Sequence, residues 1–238
     1  MYKDLAWTWP IISPPEDYAE EAEQFRKAIL DHSTIPVKTL LDIGCGGGHI
    51  DFHLKKWFDV TGVDLNEGML ENARKLNPDV TYMKGDMRSL DLDVQFDTVI
   101  IADSILYMQN EEELKAAFET ARKHLKPGGV FVTYAEQTVE NFVNHSTHVL
   151  SRARDDLSVI LFEYLFDIDP TDTMFESIFV YIINREGKVE VELDHHAYGL
   201  FPQKTWERLL KETGFGVSRI SYDADDGYPM FVGLKPSP

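Results

Sequence analysis

The stretch LLDIGCGGGH, residues 40–49, combines a run of apolar residues, an acid and a knot of glycines. Asp42 is followed by Gly44, Gly46 and Gly48 at every second position. Glycines at this spacing let a backbone turn sharply, and they let a ligand approach it closely because no Cβ stands in the way. Dinucleotide pyrophosphates, ATP phosphates and a sulfonium cofactor all bind to glycine-rich loops. Each would imply a different chemistry.

Two of these alternatives fit the residues poorly. An ATP-binding loop needs a Lys-Ser or Lys-Thr pair after its last glycine, whereas this chain has His49 followed by Ile50. A dinucleotide loop counted from Gly44 needs a glycine where His49 stands. With Asp42, the acids Asp86 and Asp103 follow three predicted strands at one sheet edge. Acids there repel a polyphosphate and suit a cation, which favours S-adenosylmethionine, a sulfonium compound without phosphate.

Five motifs in order resemble those of the class I S-adenosylmethionine-dependent methyltransferases. LLDIGCGGG is similar to their glycine motif, and Asp64 ends the second predicted strand 20 residues after Gly44. GDM at residues 85–87, FDTVIIADSILYM in the fourth strand and LKPGG before the fifth are similar to the family's later motifs. The likeness covers roughly residues 37–136 and resumes at residue 201.

The resemblance implies a site for S-adenosylmethionine, which leaves as S-adenosylhomocysteine. The first two motif glycines would let the backbone approach the methionyl part of the cofactor. Asp64 would accept hydrogen bonds from both ribose hydroxyls, Asp86 would accept one from the adenine amine, and Met87 would offer an adaptable apolar surface. The residues predicted to bind the cofactor are Asp42, Gly44, Gly46, Gly48, Asp64, Leu65, Asp86, Met87 and Ala102.

The acceptor side carries weaker signals. Methyl transfer is an in-line displacement that depends mostly on positioning, and a general base is needed only if the nucleophile arrives protonated. The helical amino-terminal arm, the β-rich insertion and DHHAYGLFPQKTWERLLKETGF resemble sugar N-methyltransferases and glycine N-methyltransferase. This resemblance implies a small polar acceptor, methylated on N or O. Candidate catalytic residues are Tyr107, Asp103 and His195, with His196 as the alternative because adjacent strand residues face opposite ways.

Aromatic residues in the amino-terminal arm allow two interpretations. Trp7, Trp9 and Tyr18 are candidates for a lid over a cationic acceptor, and hydrophobic anchoring of the arm is the alternative. His145 and His148 in HSTH invite a metal site, but no third ligand can be identified. No metal is predicted.

Strand and helix patterns alternate from residue 37 onwards, which predicts an α/β fold. The expected sheet is doubly wound and Rossmann-like, mostly parallel, with an antiparallel hairpin at the carboxyl terminus. Residues 1–33 are predicted to form the arm, 34–136 with 201–238 the cofactor-binding domain, and 137–200 an insertion that caps the substrate site. Tight turns are expected at Glu186-Gly187 and Asp226-Gly227.

Four local predictions concern the arm and the insertion. AWTWP is predicted to be extended, and Ser13 is expected to cap a helix that runs through PPEDYAEEAEQFRKAIL. Tyr18, Ala22, Phe25 and Ile29 fall on one face of that helix. Residues 142–156 are predicted to be irregular.

Composition narrows the partners. The 238 residues carry 41 acids against 23 bases, a formal charge of −18 that repels nucleic acid. No segment approaches the roughly 18 apolar residues of a membrane helix, and the first residues lack the layout of a signal peptide. Cys45 is the only cysteine, which excludes an internal disulfide. A cytoplasmic enzyme is expected, as a monomer or homodimer, with neither a nucleic-acid nor a membrane partner.

Two other functions stay open. One is a methyltransferase acting on protein or RNA, although the acidic charge disfavours RNA. The fourth strand also carries ADSI, where modifiers of nucleobases and glutamine commonly have Asn/Asp-Pro-Pro-aromatic. The other is a catalytically silent cofactor-binding subunit, which the intact glycine motif disfavours.

Overall fold

Strands and helices are described here from a computed structural model that covers residues 5–222 and 228–237. The α-helices are α1 (Trp9–Ile12), α2 (Ala19–His32), α3 (Asp51–Leu54), α4 (Glu67–Leu76), α5 (Glu111–Lys123) and α6 (Gln203–Glu212). Short 3₁₀ helices span Ala6–Thr8, Pro15–Tyr18 and Asp103–Tyr107. The strands are β1 (Thr39–Ile43), β2 (Asp59–Asp64), β3 (Thr81–Lys84), β4 (Phe96–Ile101), β5 (Leu125–Tyr134), β6 (Ser146–Arg154), β7 (Leu157–Phe166), β8 (Met174–Arg185), β9 (Lys188–Gly199), β10 (Gly216–Ser221) and β11 (Pro229–Leu234).

A seven-stranded sheet forms the larger part of the fold, in the order β10-β11-β5-β4-β1-β2-β3. Strands β1 to β5 pair in parallel, whereas β11 is antiparallel to both β5 and β10. This confirms the predicted α/β fold with a mostly parallel sheet and an antiparallel carboxyl-terminal pair. The turn expected at Asp226-Gly227 lies outside the described residues.

Helices cover both faces of this sheet, because its central strands are apolar on both sides. Leu41 and Val99 are fully buried towards α5 and α6, while Leu40 and Ile100 are fully buried towards α2 and α3. Residues that cannot be buried this way are left at the strand ends. The carboxyl ends of parallel strands therefore collect the polar residues of the site at one edge.

The amino-terminal arm differs from the prediction. AWTWP is helical, with the 3₁₀ helix Ala6–Thr8 leading into α1, and Pro10 is tolerated in the first turn of α1 because its missing N–H is not needed there. Ser13 does not cap a helix, since its hydroxyl bonds the Tyr18 hydroxyl at 2.6 Å and α2 begins only at Ala19. Of the predicted stripe, Ala22, Phe25 and Ile29 are fully buried on α2, whereas Tyr18 is half-buried and precedes this helix.

A second, antiparallel sheet is formed by β6-β7-β8-β9. The turn predicted at Glu186-Gly187 is confirmed, with φ of 53° and 83°, the left-handed pair that tight hairpins require. The irregular structure predicted for residues 142–156 is wrong, because β6 occupies 146–154 at the edge of this sheet. Polar residues on both faces of β6 hide the alternation that marks a half-buried strand. No described helix is long and apolar enough to span a membrane.

Candidate active site

Two adjoining cavities lie at the carboxyl edge of the larger sheet. The first, of about 360 Å³, is lined by the loop after β1 and by the ends of β2 and β4. The second, of about 310 Å³, lies between the 3₁₀ helix Asp103–Tyr107 and the inner face of the β6–β9 sheet. Trp9, Asp103, Ser104 and Tyr107 line both. Each is large enough for part of a small-molecule ligand.

Three left-handed glycines shape the wall of the first cavity. Gly44, Gly46 and Gly48 have φ of 82°, 53° and 70°, which other residues rarely adopt. A Cβ on Gly44 would lie 1.9 Å from the Ser104 Oγ, and one on Gly48 would lie 2.5 Å from the Tyr82 hydroxyl. Gly44 and Gly46 line the cavity, whereas Gly48 faces the protein interior behind the loop. Close packing and backbone angle therefore both require glycine here.

Asp64 joins the end of β2 to the glycine loop. One carboxylate oxygen accepts from the Gly46 N–H at 2.8 Å, and the other accepts from the Asn66 N–H at 2.7 Å. Burial raises the pKa of Asp64, and these backbone donors oppose that shift. Asn66 also caps α4 through the Met69 N–H, so the position of Asp64 at the cavity wall is fixed on two sides.

The acids at this edge do not form the uniform ring of charge that the sequence suggests. Asp42 is 1 % exposed and lies beside the buried Asp51. Burial and the charge of Asp51 raise the pKa of Asp42 well above its ordinary range. Two buried carboxyl groups this close hold a shared proton, so Asp42 supplies shape rather than charge.

Asp86 forms an ion pair with Arg88, a residue that the sequence did not single out. Its guanidinium contacts both carboxylate oxygens of Asp86, at 2.7 Å for the shorter Nη2 contact, and also bonds Glu113 at 2.8 Å. The hydrogen bonds from Arg88 lower the pKa of Asp86. Asp86 is therefore ionised but compensated. Leu65, Met87 and Ala102 line the same cavity, as predicted for a cofactor-binding wall.

A tyrosine hydroxyl bridges two carboxyl groups where the cavities meet. The buried Tyr134, at the end of β5, contacts both Asp103 and Glu21 through its hydroxyl, the latter at 3.1 Å. Burial, together with the charge of Asp103, raises the pKa of Glu21 to about 8. One O–H can be donated to only one acceptor, so the second contact requires a protonated carboxyl. Near neutral pH the pair therefore holds one proton and one negative charge.

Tyr107 is placed at the second cavity, as expected. Its hydroxyl lies 2.9 Å from the His196 Nδ1 and 3.4 Å from the Tyr198 hydroxyl. The prediction for His195 is wrong: this residue projects from the opposite face of the sheet and pairs with Glu176 at 2.5 Å. Strand alternation brings His196 inside instead, where burial lowers its pKa to about 4 and keeps the ring neutral.

The aromatic arm is divided between the cavity and the surface. Trp9 lines both cavities and stacks on His49 at 6.1 Å between ring centroids, and Tyr18 meets the same ring edge-on at 5.6 Å. Trp7 is 37 % exposed and lies under the Arg185 guanidinium, 4.7 Å from the ring centroid. Only Trp9 and Tyr18 are placed to contact an acceptor.

Two carboxylates that line the cavities were not predicted from the sequence. Glu21 follows Tyr18 by three residues on the otherwise apolar stripe of α2, and Glu163 follows Leu161 on the inner face of β7. An acid that interrupts a buried pattern was the available signal in both cases. For Glu163 it was hidden because β7 itself was not predicted.

The described residues contain no group of three or more His, Cys, Asp or Glu side chains arranged to hold a metal. In the HSTH stretch, His145 bonds the Tyr164 hydroxyl at 2.6 Å, whereas His148 lines the second cavity. The two histidines therefore have different surroundings and do not share a site.

Comparison with known proteins identifies the class. A methyltransferase-domain family model matches residues 40–129. A dTDP-3-amino-3,4,6-trideoxy-alpha-D-glucopyranose N,N-dimethyltransferase of Streptomyces venezuelae is 31% identical over 221 residues, 92% of each chain. This protein therefore belongs to the class I S-adenosylmethionine-dependent methyltransferases. The predicted family, enzyme class and cofactor are confirmed, together with methyl transfer to a small molecule.

Narrower similarities point to one branch of the class. A dTDP-4-amino-2,3,4,6-tetradeoxy-D-glucose N,N-dimethyltransferase of Saccharopolyspora spinosa is 29% identical, covering 92% of this chain and 87% of the relative. The crystal structure of DesVI from Streptomyces venezuelae superposes with a TM-score of 0.84 at 30% identity, over 93% of this chain and 92% of that one.

Proposed function

We propose that this enzyme methylates the nitrogen of an amine on a small polar molecule of the amino-sugar type. The relatives named above carry dimethyl transfer to amino groups in their names, at different ring positions. The observation that carries the proposal for this chain is the cluster of Glu21, Tyr134 and Asp103. It places negative charge, and a site for a proton, where the two cavities meet.

The first cavity fits S-adenosylmethionine. Its wall is the turn at Gly44 and Gly46, where the backbone lines the cavity, and the carboxylate of Asp64 at the cavity wall suits the two ribose hydroxyls. The proposed cofactor residues that line it are Asp42, Gly44, Gly46, Asp64, Leu65, Asp86, Met87 and Ala102, with Gly48 supporting the loop from behind. When bound there, the cofactor supplies an electrophilic methyl group, and the electrons of the broken C–S bond stay on sulfur.

The acid cluster prepares the amine for that transfer. An amine of ordinary basicity arrives as an ammonium ion, which the charge on the Asp103 and Glu21 pair attracts. The carboxylate takes one proton from nitrogen, which frees the lone pair that forms the new N–C bond. The methylated nitrogen carries the positive charge until it loses a second proton. Trp9 and Tyr18 enclose the amine with aromatic faces.

A turnover assay tests the proposal. Purified protein is incubated with S-adenosylmethionine and a panel of amino sugars, with the matching hydroxyl sugars as controls, and products are weighed by mass spectrometry. Methylated products should form only from the amines. Asp103→Asn should lower turnover about 100-fold while S-adenosylhomocysteine still binds. Methylation of the hydroxyl sugars, or full activity in Asp103→Asn, would remove the cluster from its role.

We further propose that residues 137–200 cap the acceptor and that the outer face of the β6–β9 sheet joins two copies of the chain. Val149, Val191 and Leu193 are 65%, 59% and 69% exposed on that face. Four strands about 30 Å long present roughly 600 Å² of flat area, on the order of what a stable dimer covers. A second copy fits because the described residues of this surface are mostly apolar, and within it Glu176 and His195 contact each other.

Light scattering tests the dimer. The protein should elute with the mass of two chains, and Leu193→Glu should convert it to one chain without loss of fold. A monomeric parent protein would contradict the proposal. The same protein is proposed to work in the cytoplasm, where a single unpaired cysteine, Cys45, stays reduced.

A further inference from the structure

The second cavity has a charge pattern that says more about the acceptor than its size does. Carboxyl groups reach it from three separate elements: Asp103 follows β4, Glu136 follows β5, and Glu163 lies on the inner face of β7. Among the described residues that line this cavity there is no lysine and no arginine. The cavity therefore carries a concentrated negative potential.

Two of the three histidines that line the cavities do not offset this charge, and the third, His148, faces Glu163 across the β6–β7 strand pair. His49 and His196, at the two cavities, both have a pKa lowered to about 4 by burial, so their rings are neutral at physiological pH. The first cavity contributes one arginine, Arg88, and it is committed to Asp86 and Glu113. A phosphate group would find no uncompensated guanidinium or ammonium among the described lining residues.

Of these three acids, Glu163 is the one that lies on the β6–β9 sheet. It is half-buried, one oxygen accepts from the fully buried Ser177 hydroxyl at 2.8 Å, and its cross-strand neighbour on β6 is His148. Burial raises the pKa of Glu163, and the Ser177 hydrogen bond and the charge of His148 oppose that shift. A carboxylate held this way beside an open cavity is stabilised most by a cation that enters it.

Aromatic rings form a large part of the remaining wall, beside aliphatic residues such as Leu150 and Leu161, and they are an observation independent of the carboxylates. Phe175 and Phe179 on β8, Tyr198 on β9 and Tyr107 surround the same space, with Trp9 closing it from the arm. Aromatic faces combined with carboxylates recognise ammonium groups, because the ring face carries negative potential. A diphosphate is disfavoured by the same surfaces.

We propose that the acceptor carries a second ammonium group, seated at Glu163, in addition to the amine that is methylated, and that it carries no phosphate. This inference rests on the proposed function and narrows its substrate class to phosphate-free diamines of the amino-sugar or aminocyclitol type. It separates this chain from relatives whose names specify dTDP-linked sugars. Arg152, on the same face of β6 as His148, is paired with Asp17 at 3.0 Å and does not line the second cavity.

Calorimetry on the complex with S-adenosylhomocysteine tests the inference with three probes. These are 2-deoxystreptamine, with two amines, glucosamine, with one, and glucosamine 1-phosphate, with one amine and a phosphate. The diamine should bind about tenfold more tightly than glucosamine, and glucosamine 1-phosphate should bind about tenfold more weakly than glucosamine. Both differences are of the size expected for desolvated charge contacts. Equal affinities, or tighter binding of the phosphate, would overturn the inference.

Matched variants locate the effect. Glu163→Gln should reduce the advantage of the diamine to less than about twofold while the affinity for S-adenosylhomocysteine is unchanged. Glu176→Gln removes the same charge from the outer face of the neighbouring strand and should change neither value. The comparison of the three probes in the parent protein stands even if a variant fails to fold.

Failure of this inference can be told from failure of the proposed function. If glucosamine is methylated and the diamine has no advantage, amine methylation stands and the second ammonium site is wrong. If none of the three probes binds or is methylated while S-adenosylhomocysteine binds, both proposals are wrong.

Discussion

In the first cavity, backbone turns at Gly44 and Gly46 and the carboxylate of Asp64 form one wall within residues 44–64, and the residues after β3 and β4 form much of the rest. In the second, the wall is made by side chains from the arm, the 3₁₀ helix after β4, and four strands of a separate sheet. The first arrangement is rigid and depends on conformations that few residues adopt. The second can change residue by residue, which suits a common cofactor and a variable acceptor.

The largest effect should come from crowding the glycine loop. Gly44→Ala would bring a Cβ to 1.9 Å from the Ser104 Oγ at a φ of 82°, and binding of S-adenosylhomocysteine should fall at least about 100-fold through strain and displacement of the wall. Gly187→Ala is the matched control, because its φ is 83° but nothing lies within 4 Å of the new Cβ. Calorimetry should show normal binding there. Similar losses in both variants would mean that global strain, not crowding, is responsible.

Removing the carboxylate that faces the cofactor should have the next largest effect. Asp64→Ala should weaken S-adenosylhomocysteine binding by about 1.5–3 kcal/mol, because the ribose hydroxyls and the Gly46 N–H lose a charged acceptor. Asp59→Ala, at the exposed opposite end of β2, should leave the affinity unchanged. Unchanged affinity in Asp64→Ala would remove Asp64 from the ribose site.

Substitutions in the arm test whether Trp9 contacts the acceptor rather than the cofactor. Trp9→Ala should lower kcat/KM for the amine about tenfold by removing an aromatic face from the acceptor, with a smaller effect on cofactor affinity. Trp7→Ala should change neither, because Trp7 stacks outside on Arg185. Steady-state kinetics on both variants provide the measurement. Equal effects would mean that the arm acts only as an anchor.

A separate effect concerns the dependence of stability on pH. The folded-state pKa of Glu21 is raised to about 8 from an ordinary 4.5, so between these values the native state holds a proton that the unfolded state has lost. The contribution of Glu21 to stability must therefore fall as pH rises from about 4.5 to about 8. Thermal melts of the ligand-free protein should show a steeper decline over this window than melts of Glu21→Gln. Parallel curves would contradict a buried, protonated Glu21.

The sequence predicted the first cavity well because its motifs are contiguous and each has a local physical reason. Asp64, Leu65, Met87 and Ala102 were predicted from the resemblance of these motifs to a known family, and they line the cavity. Those motifs could not reveal which side chains contact these acids in the folded protein. Arg88 pairs with Asp86, and Asp42 lies beside Asp51.

The second cavity was largely beyond prediction from the sequence. Its walls depend on which face of β7, β8 and β9 turns inwards, and a strand reverses every side chain with a shift of one residue. His195 was chosen where His196 is the inward residue, and β6 was not recognised. Glu21 meets Tyr134 across 113 residues of chain, a contact that no local pattern encodes.

The most direct test of two adjoining cavities is a sequential calorimetric titration. The protein is first titrated with S-adenosylhomocysteine, beside NADH and ATP, and the saturated complex is then titrated with 2-deoxystreptamine. One equivalent of S-adenosylhomocysteine should bind, neither control nucleotide should, and the amine should bind to the complex without displacing the first ligand. Absence of S-adenosylhomocysteine binding, or its displacement by the amine, would contradict a division into a cofactor cavity and an acceptor cavity.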